Sequence, residues 1–176
     1  MGASVQDVAA AEPQQGQVGP AGQRAKVLGQ NLGQPWHDRR VDSQTRSYRT
    51  GDRDMVLDLT DDCSEYAAGR GDGLFHVFVP HATAGIAILE TGAGSDEDLL
   101  ASLRDLLPAD DRWRHRHGSP GHGRSHVMPA LVPPYATVPV LDGRLALGTW
   151  QSICLVDLNV DNAVREVRFS FLSDRG

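Results

Sequence analysis

The apolar residues of this chain fall in short runs with a period near two, broken by Gly, Pro and Asp. The longest such stretch is residues 138–157, VPVLDGRLALGTWQSICLVD. Val138, Val140 and Leu141 lead into Asp142-Gly143, a dipeptide whose tolerance of positive φ makes it a strong hairpin signal. Leu145 and Leu147 then alternate with small or polar neighbours, and Ile153 and Leu155 resume the apolar run. The pattern predicts a hairpin followed by one long strand. Gly148-Thr149-Trp150-Gln151 interrupts it. A glycine inside a strand marks a bulge or a close backbone approach. A glutamine in so apolar a strand is expected to be at least half-buried, with its amide bonded to backbone or to a ligand.

The same reading extends along the rest of the chain. Residues 43–50 form a polar edge-strand pattern, and MVLDLT beginning at Met55 alternates Met55, Leu57 and Leu59. Thr60 is placed to cap a helix through Gly69, with Asp61 and Asp62 complementing its positive end. Leu74 to Val79 predicts a buried strand ended by Pro80. His81-Ala82-Thr83-Ala84-Gly85 turns the chain into a second short strand over residues 86–89. Ser95 then caps a helix whose apolar face is Leu99, Leu100, Leu103, Leu106 and Leu107, and Pro108 stops it. Residues 109–125 form a long irregular segment, followed by HVMPALV as a short helix broken by Pro129. Arg165 to Leu172 alternates as a final strand with Val167, Phe169 and Phe171 inward. Six to eight strands with two or three inserted helices, and no βαβ rhythm, indicate an α+β, β-rich single domain with a largely antiparallel sheet or sandwich.

Composition adds a boundary. Residues 1–42 are rich in Gly, Pro and Gln and poor in aromatics, which predicts a disordered or loosely ordered tail ahead of a domain over residues 43–176. Hydrophobic residues make up 40 % of the 176, enough for a core, and the net charge of −6 shows no basic stripe for nucleic acid. No apolar run approaches the ~18 residues of a membrane span, and no secretory-signal pattern is visible. Cys63 and Cys154 have no CxxC spacing and read as buried free thiols. These features fit a cytoplasmic location.

The candidate chemistry lies in the histidines. His115, His117, His122 and His126 crowd one loop, and His81 directly follows a strand. Neutral imidazoles on loops at strand ends form three-histidine metal sites or act as general acids and bases. No HExxH or CxxC spacing is present, so solvated loop histidines are the plain alternative. Arg112, Arg114, Arg116 and Arg124 make that loop locally basic, which suits capture of phosphate or carboxylate. Glu90 and Asp98 flank the region. No GxSxG, P-loop or GxGxxG occurs.

Taken in order, several stretches resemble the YjbQ family. HATAGIAILE is similar to that family's HTSA…NE segment, Trp113-Arg114-His115 to its Y-x-H element, and Ser125-His126 to the histidine before its next turn. VPVLDGRLALGTWQSI resembles the family signature, of which G-x-L-x-x-GTWQ is the most specific part. The match runs from about Ser43 to the C-terminus. Leu89 stands where an Asn often precedes the Glu, Trp113 replaces Tyr, and the family's acidic-Gly-Pro-Arg segment is absent, leaving Arg165 as its nearest counterpart.

The resemblance implies a compact β-rich fold assembled as a homotrimer, with a histidine-rich pocket that holds a divalent metal, zinc or magnesium. It implies a thiamine-phosphate synthase of low activity, joining a pyrimidine diphosphate to a thiazole phosphate with release of pyrophosphate. In that reading His81, His115 and His126 are the metal ligands. Glu90, Asp98, Gln151 and Asp157 are the catalytic polar positions, with Asp157 where the family usually has Glu. Thr83, Arg114, Arg124 and Arg165 bind the small phosphorylated substrate. The alternatives are a non-catalytic metal or small-ligand binding protein and a metal-dependent, phosphatase-like hydrolase.

Overall fold

The computed structural model describes residues 41–174, so the expected N-terminal tail lies outside the described residues apart from its last two positions. Its elements are β1 (Asp42–Arg49), β2 (Met55–Asp58), α1 (Thr60–Ala67), β3 (Gly73–Phe78), β4 (Ala84–Leu89) and α2 (Ser95–Leu106), then β5 (Tyr135–Leu141), β6 (Arg144–Leu145), β7 (Ser152–Asp157) and β8 (Val164–Ser173). Two 3-10 turns, His122–Arg124 and Met128–Ala130, lie between α2 and β5. Five strands pair in the order β1-β8-β3-β5-β6 and three in the order β2-β7-β4, all antiparallel. The α+β, β-rich architecture is therefore the one the pattern predicts. Among the described residues no helix is long and apolar enough to cross a membrane.

The main core lies between the two sheets and under α1. Phe75 and Val77 of β3, Val138 and Val140 of β5, and Val167, Phe169 and Phe171 of β8 meet Ile86 of β4 and Ile153 and Leu155 of β7. Alternation sends these side chains to one face of each strand. β7 is buried on both faces, because its other side, with Val156, packs against Leu103 of α2 and against Leu107, Met128 and Val132 of the segment that follows it. A strand covered on both sides reads as a continuous apolar run, as SICLVDL does. Cys63 and Cys154 are buried free thiols, and burial pushes the Cys154 thiol up to about 12.

Five local expectations are corrected. Asp142 (φ 51°) and Gly143 (φ 72°) do turn the β5–β6 hairpin, but β6 ends at Leu145 instead of continuing to Asp157. The chain leaves the large sheet there and enters the small one at Ser152. Gly148-Thr149-Trp150-Gln151 is the turn that makes this crossing, closed by Gln151 N–H donating to Gly148 O at 3.0 Å. Gln151 is accordingly exposed, with its Oε1 accepting from Gly148 N at 2.8 Å, and Trp150 is 72 % exposed. Thr60 begins α1 but does not cap it. Asp58 accepts from Thr60 N–H at 2.8 Å, and the Thr60 hydroxyl accepts from Ile153 N–H at 2.9 Å, tying the helix to β7. Ser95 likewise opens α2 behind Gly94, which holds a left-handed φ of 98°. Pro129 stands at the start of its 3-10 turn, where its missing N–H costs nothing, and so does not break a helix.

Candidate metal centre

The segment after α2 folds back on itself so that four histidines converge. Trp113 anchors its start, donating Nε1–H to Pro108 O at 2.9 Å and packing against the α2 core. His115 and His117 are two residues apart, and the His122–Arg124 turn places His122 and His126 one helical turn apart. The two halves approach closely because Gly123 lies between them. A Cβ at Gly123 would sit 2.5 Å from Trp113 Cβ and 2.7 Å from His115 O, so no side chain fits there. Gly118 (φ 82°) is similarly confined, its Cβ position lying 2.7 Å from Asp161 Oδ2 and 2.9 Å from His122 Cγ. Arg124 pins the loop to the body, reaching Asp54 Oδ1 at 2.5 Å, while Arg104 of α2 holds Asp54 Oδ2 at 2.9 Å.

One nitrogen from each of His115, His117, His122 and His126 lies within 4.8 Å of the others. The His115 ring centroid is 4.0 Å from both His117 and His126. The Nε2 atoms of His122 and His126 are 2.8 Å apart, so one donates to the other. On the far side of the ring, His122 Nδ1 is 2.6 Å from Asp161 Oδ2. That carboxylate fixes the tautomer and turns Nε2 inward, the arrangement in which an outer carboxylate orients a metal-binding imidazole. Asp161 is held below the usual carboxylate range, first by the bond from the Ser119 hydroxyl, then by the Ser119 N–H and the nearby His122. His115 Nε2 is buried with no hydrogen-bond partner. Burial and the neighbouring imidazoles lower the pKa of both His115 and His126, so both are neutral donors near pH 7.

This donor set fits a transition metal. Tetrahedral zinc bonds imidazole at about 2.0–2.1 Å, which puts ligand nitrogens roughly 3.3 Å apart, a small adjustment from the grouping seen. An all-imidazole set suits zinc and its neighbours in the series, whereas magnesium takes carboxylate, phosphate and water oxygens. Beside the cluster, a cavity of about 360 Å³ is lined by Asp110, Trp113, His115, Arg116 and His122, among others.

The remaining residues assigned from sequence are distributed differently. His81 does not join the other histidines. Its Nε2 accepts the Glu166 backbone N–H at 3.0 Å, and burial, then the Arg165 guanidinium, lowers its pKa. Arg165 is fully buried because it shares the inward parity of Val167, Phe169 and Phe171 in β8. It meets the equally buried Asp157 of β7, with Nη2 donating to Oδ1 at 3.0 Å and Nε 2.8 Å from Oδ2. The second contact is a charge pair bent out of hydrogen-bond alignment.

From Asp157 a chain of bonds leads toward the histidines. Asn159 N–H donates to Asp157 Oδ1 (2.9 Å), and Asp161 N–H donates to Asn159 Oδ1 (3.0 Å). Thr83 accepts from Asn159 Nδ2 at 3.2 Å. Asp157, Arg165 and Thr83 therefore support the loop that carries Asp161. Arg124 is engaged with Asp54. Arg114 is exposed and without an ion-pair partner among the described residues, as is Arg116. Glu90 is half-buried after β4, and Asp98 is exposed in the first turn of α2. Neither carboxylate makes a side-chain bond among the described residues, and Gln151 is spent on its own turn.

His117, His122 and Asp161 stand outside the ligands assigned from sequence. The spacing H-x-H followed by H-x3-H was the available signal for the histidines. Asp161 had none, since it arrives from a separate loop.

The family model for UPF0047 protein YjbQ-like matches residues 44–174. A UPF0047 protein of Mycobacterium tuberculosis (strain ATCC 25618 / H37Rv) is 61% identical over 120 residues, covering 68% of this chain and 90% of the relative. One from Archaeoglobus fulgidus is 32% identical over 111 residues, covering 63% and 86%. Among solved structures, a YbjQ-like protein of unknown function from Sulfolobus solfataricus P2 superposes with a TM-score of 0.71 at 26% identity, covering 77% of this chain and 99% of that one. A hypothetical protein from Aeropyrum pernix K1 gives 0.68 at 30% identity, covering 76% and 99%. Sequence and fold thus agree over the same region, and the chain belongs to the YjbQ-like UPF0047 family.

Proposed function

We propose that this protein binds one zinc-like divalent metal through the His115, His117, His122 and His126 cluster and acts there on a small phosphorylated substrate. The observation that carries the reading is the convergence of four imidazole nitrogens within 4.8 Å, one of them seated by Asp161. His81, assigned to the metal from sequence, is replaced in this proposal by His117 and His122. A metal bound there would supply Lewis-acid stabilisation of negative charge on phosphate oxygens. The chain's own part is to hold the imidazoles oriented, and to offer Arg116, which lines the adjacent cavity, and the exposed Arg114 as cations without an ion-pair partner among the described residues.

The thiamine-phosphate synthase reading rests on the family resemblance. Its leaving pyrophosphate has the charge these groups suit. The homotrimer rests on the same resemblance, and its support here is the exposed edge strand β1 and exposed Trp150 and Leu141. A reducing, cytoplasmic setting suits the two buried thiols.

Elemental analysis of zinc-loaded, desalted protein tests the metal, with one equivalent per chain expected and none contradicting it. Supplying both thiamine precursors and assaying thiamine phosphate tests the reaction. Turnover that His122→Ala abolishes supports it. Metal binding without turnover leaves a binding protein.

A further inference from the structure

We infer that His117 is a displaceable ligand, closing a fourth position that a small anion takes over, while His115, His122 and His126 form the fixed set. The inference rests on the metal reading above and deepens it by naming the ligand class. The four histidines are not held alike. His122 is held at Nδ1 by Asp161 at 2.6 Å, a bond that leaves Nε2 free for a metal, and its side chain is only 8% exposed. His126 is half-buried, one helical turn from His122. His115 sits on backbone wedged against Gly123, two residues past the anchored Trp113, with its Nε2 buried and aimed at no other partner.

His117 is the one member of the cluster classed as exposed, and its ring makes no hydrogen bond, only ring contacts with the other three. Gly118 follows it with a left-handed φ of 82° and stays packed against Asp161 and His122, so only the His117 side chain has to move. Swinging His117 to solvent therefore breaks no bond to the protein and uncovers no apolar core.

Charge decides what takes its place. Four neutral imidazoles leave the charge of a divalent ion uncompensated, with Asp161 the one carboxylate bonded to the set. Arg116, without an ion-pair partner among the described residues, lines the 360 Å³ cavity together with His115 and His122; Asp110 and Asp111 line it too, Asp110 paired with Arg112, so the uncompensated charge of the metal ion itself is the main attraction. The incoming group is thus an anion, of phosphate or carboxylate type. The exchange is a plain ligand substitution: one imidazole nitrogen leaves and one anionic oxygen or nitrogen binds, with no change of oxidation state. If the open form is the minor one, the measured anion constant is weakened by its fractional population.

The test uses the full chain loaded with Co(II), whose visible bands report coordination, titrated with azide. His117→Ala is expected to keep one Co(II) per chain and to bind azide about tenfold tighter than wild type, corresponding to a closed form about nine-tenths populated. His122→Ala is expected to lose the metal. Circular dichroism checks that both variants fold, and the exposure of His117 makes its variant the safer one. Loss of Co(II) from His117→Ala equal to that from His122→Ala overturns the inference, as does an azide constant unchanged from wild type. Wild-type protein that takes up no Co(II) overturns the metal reading itself, and the inference with it.

Discussion

The buried Arg165–Asp157 pair gives a prediction whose size follows from its contacts. Both side chains are fully buried, and Arg165 is among the largest buried groups in the molecule. Asp157→Leu removes the 3.0 Å hydrogen bond, the 2.8 Å charge contact and the acceptor of Asn159 N–H. The guanidinium keeps only Val164 O at 3.1 Å and Asn159 O at 3.4 Å. Leaving one partner of a buried pair uncompensated costs about 3–5 kcal/mol. For a domain of this size each kcal/mol moves Tm by roughly 3–5 °C, so the drop is about 9–25 °C.

Replacing both partners, in Asp157→Leu/Arg165→Met, removes the stranded charge and returns stability to within about 2 kcal/mol of wild type. Thermal and urea unfolding of Asp157→Leu, Arg165→Met, the double variant and wild type form the cycle. A single-variant loss below about 1 kcal/mol, or a double variant whose loss is the sum of the singles, refutes the account.

Three further outcomes are expected. Asp161→Asn keeps the fold but weakens zinc binding by about 10–100-fold in a chelator competition, because the oriented carboxylate behind His122 is lost, and unchanged affinity counts against its orienting role. Gly123→Ala forces a methyl into a space where the nearest atom is 2.5 Å away, costing about 1–3 kcal/mol in urea unfolding and lowering metal content together, whereas a neutral change contradicts the packing. His81 is depressed by burial first and then by Arg165, so in the window below the unfolded value near 6.5 the unfolded chain binds the extra proton. Its contribution is therefore complete above about pH 6.5 and lost as pH falls through the folded value, and metal-free His81→Gln should lose less stability than wild type between pH 7.5 and 5.5.

Local signals in the sequence carried most of the fold. Asp142-Gly143 specifies its hairpin from two residues, and the alternation Val167, Phe169, Phe171 fixes the inward face of β8. The same parity places Arg165 inward and so calls for a buried acid, which Asp157 supplies. Where chain segments cross between sheets, the pattern misleads. Leu145, Leu147 and Ile153 keep a period of two across a turn, and nothing in that spacing shows that Leu145 and Ile153 belong to different sheets. The histidine cluster was half legible. Crowding marked the loop, but His81 entered the ligand set because sequence carries no distance between it and residue 115. Asp161 stayed unseen because its meeting with His122 is a tertiary contact between two loops.

Four histidines of one loop are proposed to form a metal site. X-ray absorption at the zinc edge of the loaded protein tests it directly. Only nitrogen or oxygen neighbours at about 2.0–2.1 Å are expected, with outer-ring scattering from at least three imidazoles. A sulfur neighbour near 2.3 Å, or a shell of light atoms without imidazole scattering, would contradict it.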